Sequence, residues 1–326
     1  KFIDEVDCPL LDVLIVDEAQ DLSPMQWKMI HDVMKPRAKR VYFAGDDDQC
    51  IYSWMGVNVK DFLNASDNKT ILHKSYRLPR SIHTIAEGMV SQLSTRQEKV
   101  WMPKEESGVV VWHHDMLGLD LTSGEWLILA RTNYIANKIA TDLKEQGYLF
   151  WREGSGWSIS PNVLTGIEVW LKLCKGIHLS AKDLKTLSTL LKSDIVTKAG
   201  RKKLATLDSE LTYNLESIRE NFTTNVSAEM PWYDVLKVSE RERIYISSVR
   251  RMGEKLLTDK PRIKISTIHK AKGGEADNVA LLLDSSKPCA ESPDQDSEIR
   301  TFYVGATRAK KALHIIESQS MYGFKI

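Results

Sequence analysis

Two short apolar runs that end abruptly in acidic loops constrain this chain more than any other feature. Val13-Leu14-Ile15-Val16 passes directly into Asp17-Glu18, and Arg40 to Ala44 passes into Gly45-Asp46-Asp47-Asp48-Gln49. An unbroken apolar run of this length is expected of a buried parallel strand, because one wet face would require alternating polar residues. Between the runs, Ser23-Pro24-Met25-Gln26 predicts a helix start: Ser23 as cap, Pro24 in the first turn, and Gln26 placed to close a capping box. Strand, loop, helix, strand is the rhythm of an α/β protein. In open parallel sheets, ligands bind beyond the carboxyl ends of the strands, where Asp17 and Gly45 fall.

A second α/β pattern begins near Ile71. Strands are expected at Gly108 to His113 and Trp126 to Ala130, followed by a helix from Ile135 to Glu145 that ends at Gly147. From Pro161 to Tyr233 leucines recur at helical spacing, in Val169 to Leu173, Leu184 to Leu191 and Leu204 to Leu215, which predicts a helical subdomain. Strand patterns return at Ile263 to Ile268, Val279 to Leu283 and Ala312 to Ile316. The helical segment therefore reads as an insertion into the second α/β block. Ser286 to Glu298, polar and acidic with two prolines, is expected to be an exposed loop.

Composition narrows the class. With 326 residues, 42% apolar and 27% charged, the chain can build two or three packed domains. Its net charge of +1 gives no global field for a nucleic acid, so any such partner must be met by local patches. Candidate patches are Lys35, Arg37, Lys39 and Arg40; Arg201 to Lys203; Arg241, Arg243, Arg250 and Arg251; and Lys260, Arg262, Lys264, Lys270 and Lys272. The four cysteines, Cys8, Cys50, Cys174 and Cys289, are widely separated and have neither disulfide-framework nor zinc spacing, which fits a reducing, intracellular setting. No apolar stretch has the length of a membrane span. The opening Lys1-Phe2-Ile3, without methionine, is expected of a piece of a longer chain.

The acids at the strand ends suggest phosphate chemistry. A carboxylate in that place can hold a magnesium ion through its water shell, and its neighbour can take a proton from an attacking water; Asp17 and Glu18 suit those roles. Gln49 can orient a water or sense a terminal phosphate. Tyr52 and Trp54, in Ile51-Tyr52-Ser53-Trp54-Met55-Gly56, offer aromatic surface on which a base can stack. Each feature has a plainer reading: a solvated acidic turn, or a tryptophan in the core.

Taken in order, these segments resemble the motifs of the UvrD/Rep group of superfamily 1 helicases. Asp17-Glu18-Ala19-Gln20-Asp21 resembles the magnesium and water-activating motif, and Gly45 to Gly56 resembles the motif joining a terminal-phosphate sensor, here Gln49, to a base-stacking aromatic, here Trp54. Leu72-His73-Lys74-Ser75-Tyr76-Arg77 is similar to the motif that opens the second motor domain. By that resemblance Tyr76 stacks on adenine and Arg77 reaches the terminal phosphate, although Ser75 stands where the group has asparagine. Leu129-Ala130-Arg131-Thr132-Asn133 resembles a short motif near the bound strand. Lys264 to Leu283 resembles the motif carrying Thr267, His269, Lys272, Gly273 and Glu275, whose polar residues contact the DNA backbone and whose glutamate approaches the nucleotide sugar. Gly274 replaces the usual leucine there. Phe302 to Ala309 resembles the last helicase motif, which makes Arg308 the second arginine on the terminal phosphate.

The resemblance implies an α/β, RecA-like P-loop NTPase helicase fold with an incomplete first motor domain in 1–70. The second motor domain is expected in 71–160 and 246–326, with a helical insertion in 161–245. It implies ATP and Mg2+ as cofactors, with Asp17 the metal ligand, and single-stranded DNA and duplex junctions as partners, with movement from 3′ to 5′. No Gly-x-x-x-x-Gly-Lys-Ser/Thr phosphate loop occurs in the sequence. The isolated chain is therefore expected to be inactive, the loop belonging upstream in an intact helicase. Two other readings share these residues: an inactive nucleic-acid-binding module with the same fold, and the motor portion of a helicase-nuclease.

Overall fold

The computed structural model describes residues 8–223, 226–254 and 260–326; Lys1-Phe2-Ile3 lies outside them. The chain divides into two compact units, one formed by residues up to Ile139 together with Ile263–Ile326, the other by Ala140–Arg262.

The first unit opens with β1 (Leu11–Val16), α1 (Pro24–Met29) and β2 (Ala38–Phe43). The capping box forms as expected: Ser23 Oγ accepts from the Gln26 backbone N–H, and the Gln26 side chain accepts from the Ser23 N–H. β1 and β2 are parallel, with Ile15 opposite Tyr42. Their expected burial on both faces is not found. Only Leu14 of β1 is buried, and Ile15 is 69% exposed. The apolar run cannot distinguish one covered face from two. Among the described residues β1 and β2 pair only with each other, and the buried Trp27 of α1 packs on Phe43 at a ring-centroid distance of 5.3 Å.

Asn58 caps the short α2 (Val59–Leu63), and α3 (Arg80–Val90) buries Ile82, Ala86, Met89 and Val90 along one face. β3 (Val109–His113), β4 (Trp126–Ala130) and α4 (Asn133–Gln146) lie close to their sequence positions, and Gly147 ends α4 at φ 85°, a left-handed conformation that glycine adopts without Cβ strain.

The second unit takes in α4 from Ala140 onward and continues with the antiparallel pair β5 (Trp151–Arg152) and β6 (Gly156–Trp157). Next come α5 (Pro161–Cys174), β7 (Leu179–Ser180), α6 (Ala181–Leu190) and α7 (Lys198–Ala205), then β8 (Thr212–Tyr213), α8 (Leu215–Asn221), α9 (Trp232–Val235) and α10 (Glu240–Arg251). The leucine run expected to be helical from Leu204 to Leu215 is broken after Ala205. Its second half supplies β8, which pairs with β7, and Asn214 then starts a new helix through a capping box. The unit has its own core, in which Trp170 is buried and its indole N–H donates to the Met230 carbonyl at 3.0 Å.

The chain returns to the first unit with β9 (Ile263–Thr267), β10 (Ala276–Leu282), α11 (Lys287–Ala290), α12 (Gln295–Ala306) and β11 (Ala309–Ile316). Five of these strands run parallel in the order β3-β11-β10-β4-β9. β4 is buried throughout, which explains its unbroken Trp-Leu-Ile-Leu-Ala run. The segment expected to be an exposed loop, Ser286 to Glu298, instead contains α11 and the first turn of α12. Its acids have partners: Asp294 caps α12, Asp296 accepts from the Ser94 and Thr95 N–H groups, and Glu298 is buried.

This parallel order sorts the candidate residues by sheet edge. Arg131 follows β4, and Thr267 ends β9, both at the carboxyl edge. Glu275 precedes β10 and Arg308 precedes β11, both at the amino edge.

Candidate nucleotide and nucleic-acid sites

The loops after β1 and β2 are stitched together by the backbone. Ala44 N–H donates to the Val16 carbonyl at 2.8 Å, and Ala19 N–H to the Ala44 carbonyl at 2.9 Å. Glu18 sits at φ 50°, the only described non-glycine residue with positive φ. A branched or bulky side chain is costly in that region, and a residue held there signals a site that the surroundings over-determine. Gln20 does much of the holding. Buried to 1% exposure, it donates to Glu18 Oε2 at 2.6 Å and accepts the Asp46 N–H at 3.0 Å. Gly45 allows this approach: a Cβ there would lie 2.2 Å from the Gln20 side-chain oxygen. Asp17 is exposed, and its Oδ1 accepts the Glu18 N–H at 2.9 Å.

A cavity of about 780 Å³ is lined by Gly45, Asp46 and Gln49 from the β2 loop, by Tyr76 and Arg77, and by Thr307 and Arg308. Four of the expected nucleotide residues, Gln49, Tyr76, Arg77 and Arg308, therefore share one wall system. Asp17, Glu18 and Glu275 do not line it. Arg308 is 1% exposed; its Nε donates to the Val304 carbonyl at 2.9 Å, and Nη2 reaches Gln49 Oε1 at 3.4 Å. Burial, then the charge of Arg77, lowers its pKa to about 10, so it stays cationic at neutral pH. Arg77 pairs with Glu275 at 3.1 Å, and Lys310 stands 3.5 Å from the same carboxylate. Tyr76 is 82% exposed, with the Lys74 ammonium 5.2 Å from its ring centroid.

The three carboxylates Asp46, Asp47 and Asp48 lie within 4.8 Å of one another. Their charge is met by protein cations: Lys99 Nζ approaches them at 2.6, 2.7 and 3.0 Å, and Arg96 forms a bidentate pair with Asp48. Burial opposes ionisation of Asp46, but Lys99 and the Gln49 amide together hold its carboxyl below the usual range. The cluster is an ion-paired knot. Asp17, the expected metal ligand, lies outside this cluster and is exposed just past the end of β1.

The expected nucleic-acid residues divide into exposed and enclosed groups. Trp54 is 71% exposed, its ring 6.4 Å from Tyr52 in an edge-on arrangement, and Asn133 is exposed at the start of α4. Tyr52 is half-buried and donates its hydroxyl to the His269 carbonyl at 3.4 Å. Thr267 is buried. Arg131 grips Glu298 with two donors, Nε at 2.8 Å. Lys272 turns inward to Asp21 and to the Gln49 carbonyl at 2.8 Å, its ammonium 5.3 Å from the Tyr52 ring centroid. His269 is pushed down to a pKa of about 4 by burial, and then by the charges of Arg131 and Lys272. Sequence reasoning did not single out Gln20, Arg96, Lys99 or Glu298. Glu298 was placed in an exposed loop, and Arg96 and Lys99 lie far from the motifs in sequence. The one local sign was Gln20, a polar residue inside the Asp-Glu motif.

Family comparisons match two segments of the chain. A model of the UvrD/REP helicase N-terminal domain matches residues 10–70, and a model of the UvrD-like helicase C-terminal domain matches residues 178–320. DNA helicase II of Haemophilus influenzae is 33% identical over 99 residues, covering 29% of this chain and 14% of that protein. ATP-dependent DNA helicase Rep of Buchnera aphidicola is 32% identical over 83 residues, covering 24% and 12% respectively. F-box DNA helicase protein 1 of Schizosaccharomyces pombe is 24% identical over 338 residues, covering 93% of this chain and 33% of that protein. The chain thus spans between 12% and 33% of the length of these relatives.

Proposed function

Because this chain belongs to the UvrD/Rep-like DNA helicases, we propose that it forms part of an ATP-driven motor that moves along single-stranded DNA in the 3′ to 5′ direction and opens duplex junctions. The observation that carries this reading is the contact of Arg308 with Gln49 on the wall of a cavity that Arg77 and Tyr76 also line. One buried guanidinium, Arg308, and one exposed guanidinium, Arg77, on the same cavity wall as a glutamine amide suit a polyphosphate terminus, whose transferring oxygens spread negative charge in the transition state.

In this proposal Tyr76 stacks on adenine, Glu275 approaches the ribose, and Arg77 and Arg308 neutralise the terminal phosphate, with Gln49 sensing its presence. Arg77 must then leave Glu275 when nucleotide arrives, which frees that carboxylate for the sugar hydroxyls. Asp17 would hold Mg2+, which supplies charge neutralisation to the phosphates, and Glu18 accepts the proton of the attacking water. Trp54, Tyr52 and Asn133 form the face that meets DNA. His269, whose carbonyl accepts the Tyr52 hydroxyl, and Lys272, which reaches the Gln49 carbonyl, link that face to the loop bearing Gln49, while Arg131 and Thr267 are enclosed. The phosphate loop is absent from this sequence, so the isolated chain should not turn over ATP.

The test is single-strand-stimulated ATP turnover by the full-length protein, beside this chain and full-length Glu18→Gln. Turnover confined to the full-length wild type is expected. Turnover by this chain that survives Glu18→Gln would sink the assignment, and an inert full-length protein that still binds DNA would favour a binding module.

A further inference from the structure

We propose that Lys99 is a positioning residue for Gln49, acting through Asp46. The inference rests on the reading of Gln49 as terminal-phosphate sensor. Lys99 lies between α3 and β3, far in sequence from the β2 loop, and its side chain is 14% exposed. Its ammonium is 2.6 Å from Asp46 Oδ1. The other oxygen of Asp46 accepts the Gln49 side-chain N–H at 2.7 Å, which fixes the amide so that Gln49 Oε1 faces Arg308. A four-member relay results: ammonium, carboxylate, amide, guanidinium. It joins the β2 loop to the start of β11.

Asp46 and Asp47 share Lys99 as their cation, and Asp48 alone of the three has another among the described residues. Asp48 has the Arg96 fork, and Asp47 accepts the Gln97 backbone N–H at 2.7 Å. Asp46 has no second cation within ion-pairing distance among the described residues; its other donors are the Asp48 N–H at 3.2 Å and the Gln49 amide itself. Three carboxylates this close repel one another. Without the ammonium, either the loop shifts or Asp46 takes up a proton and becomes a poorer acceptor, and both outcomes release the Gln49 amide. A lysine with only a packing role would have no such link to the amide.

The Gln49 side-chain amide can be followed in this chain by proton–nitrogen correlation spectroscopy, its signal identified by its loss in Gln49→Ala. Lys99→Met should move that signal towards the position shared by exposed glutamines, and Lys99→Arg should restore it at least in part. An unmoved signal in folded Lys99→Met overturns the proposal. If Lys99→Met fails to fold, the same signal is read in Lys99→Met/Asp48→Asn, which removes a carboxylate with the ammonium, and an unmoved signal there has the same meaning. In the full-length protein, Lys99→Met should lower kcat roughly tenfold to a hundredfold with KM for ATP nearly unchanged. It should add no further loss to Gln49→Ala; additive losses refute the relay. A full-length wild type without ATP turnover would remove the sensor role of Gln49 and leave the amide signal to decide the role of Lys99.

Discussion

Arg131 and Glu298 face each other where water reaches little of either, their side chains 17% and 8% exposed. Removing one partner strands the other charge, and such a loss costs about 3–5 kcal/mol, whereas replacing both with apolar groups of similar shape is often close to neutral. Arg131→Met alone should therefore lower stability by about that amount in urea unfolding, and Arg131→Met/Glu298→Leu should recover most of it. A single substitution that weakened DNA binding and left stability unchanged would show Arg131 to be a free contact residue. His269 makes a second prediction, about pH. Its folded pKa of about 4 lies below the ordinary 6.5, so between those values the unfolded chain binds a proton that the folded chain refuses. Stability should fall as pH drops from about 6.5 towards 4, and His269→Gln should flatten that part of a Tm-against-pH curve. A wild-type slope unchanged in the variant would place the proton elsewhere. Gln49, Arg77 and Arg308 were legible in sequence because each sits inside a compact motif. Lys99 and Glu298 were not, because their meaning lies in partners that only the folded chain brings near.

At the scale of elements, legibility followed the strength of the local code. The capping box at Ser23, the fully apolar β4 and the glycine that ends α4 are short-range signals, and each element formed close to its expected place. The errors arose where tertiary context decides: how many faces of β1 are covered, and whether leucines past Ala205 continue a helix or pair as β8. Gly200 in α7 tests such a tertiary constraint directly. A Cβ there would lie 2.1 Å from the Phe222 carbonyl oxygen, a backbone atom that cannot swing aside. Alanine is a better helix former than glycine by about 1 kcal/mol, so on propensity alone Gly200→Ala should stabilise α7. The clash reverses the sign. We expect Gly200→Ala to destabilise the second unit by roughly 1–3 kcal/mol, as overpacking does, measured by urea unfolding. A stabilised variant would mean that α7 and the Phe222 segment separate easily.

At the scale of the molecule, the described residues form two hydrophobic cores that share no residue: one spans Leu149 to Val249 within the second unit, and the other is built on the parallel sheet of the first. Cooperative unfolding requires that loss of one part remove the support of the rest, and separate cores weaken that requirement. The first unit is also discontinuous, since β4 and β9 pair along the sheet although the second unit intervenes between them in sequence. Closing that long excursion costs entropy only slowly with its length, so the insertion is tolerated, and a short linker in its place would hold β4 and β9 just as near. Two outcomes follow. Residues 140–262 expressed alone should retain helical circular dichroism and a cooperative thermal transition. The chain in which they are replaced by a short glycine-serine linker should keep the buried fluorescence of Trp126 and unfold in a single step where the parent chain shows two. Loss of structure in both pieces, with one shared transition in the parent, would show that the two units stabilise each other and that the molecule folds as one.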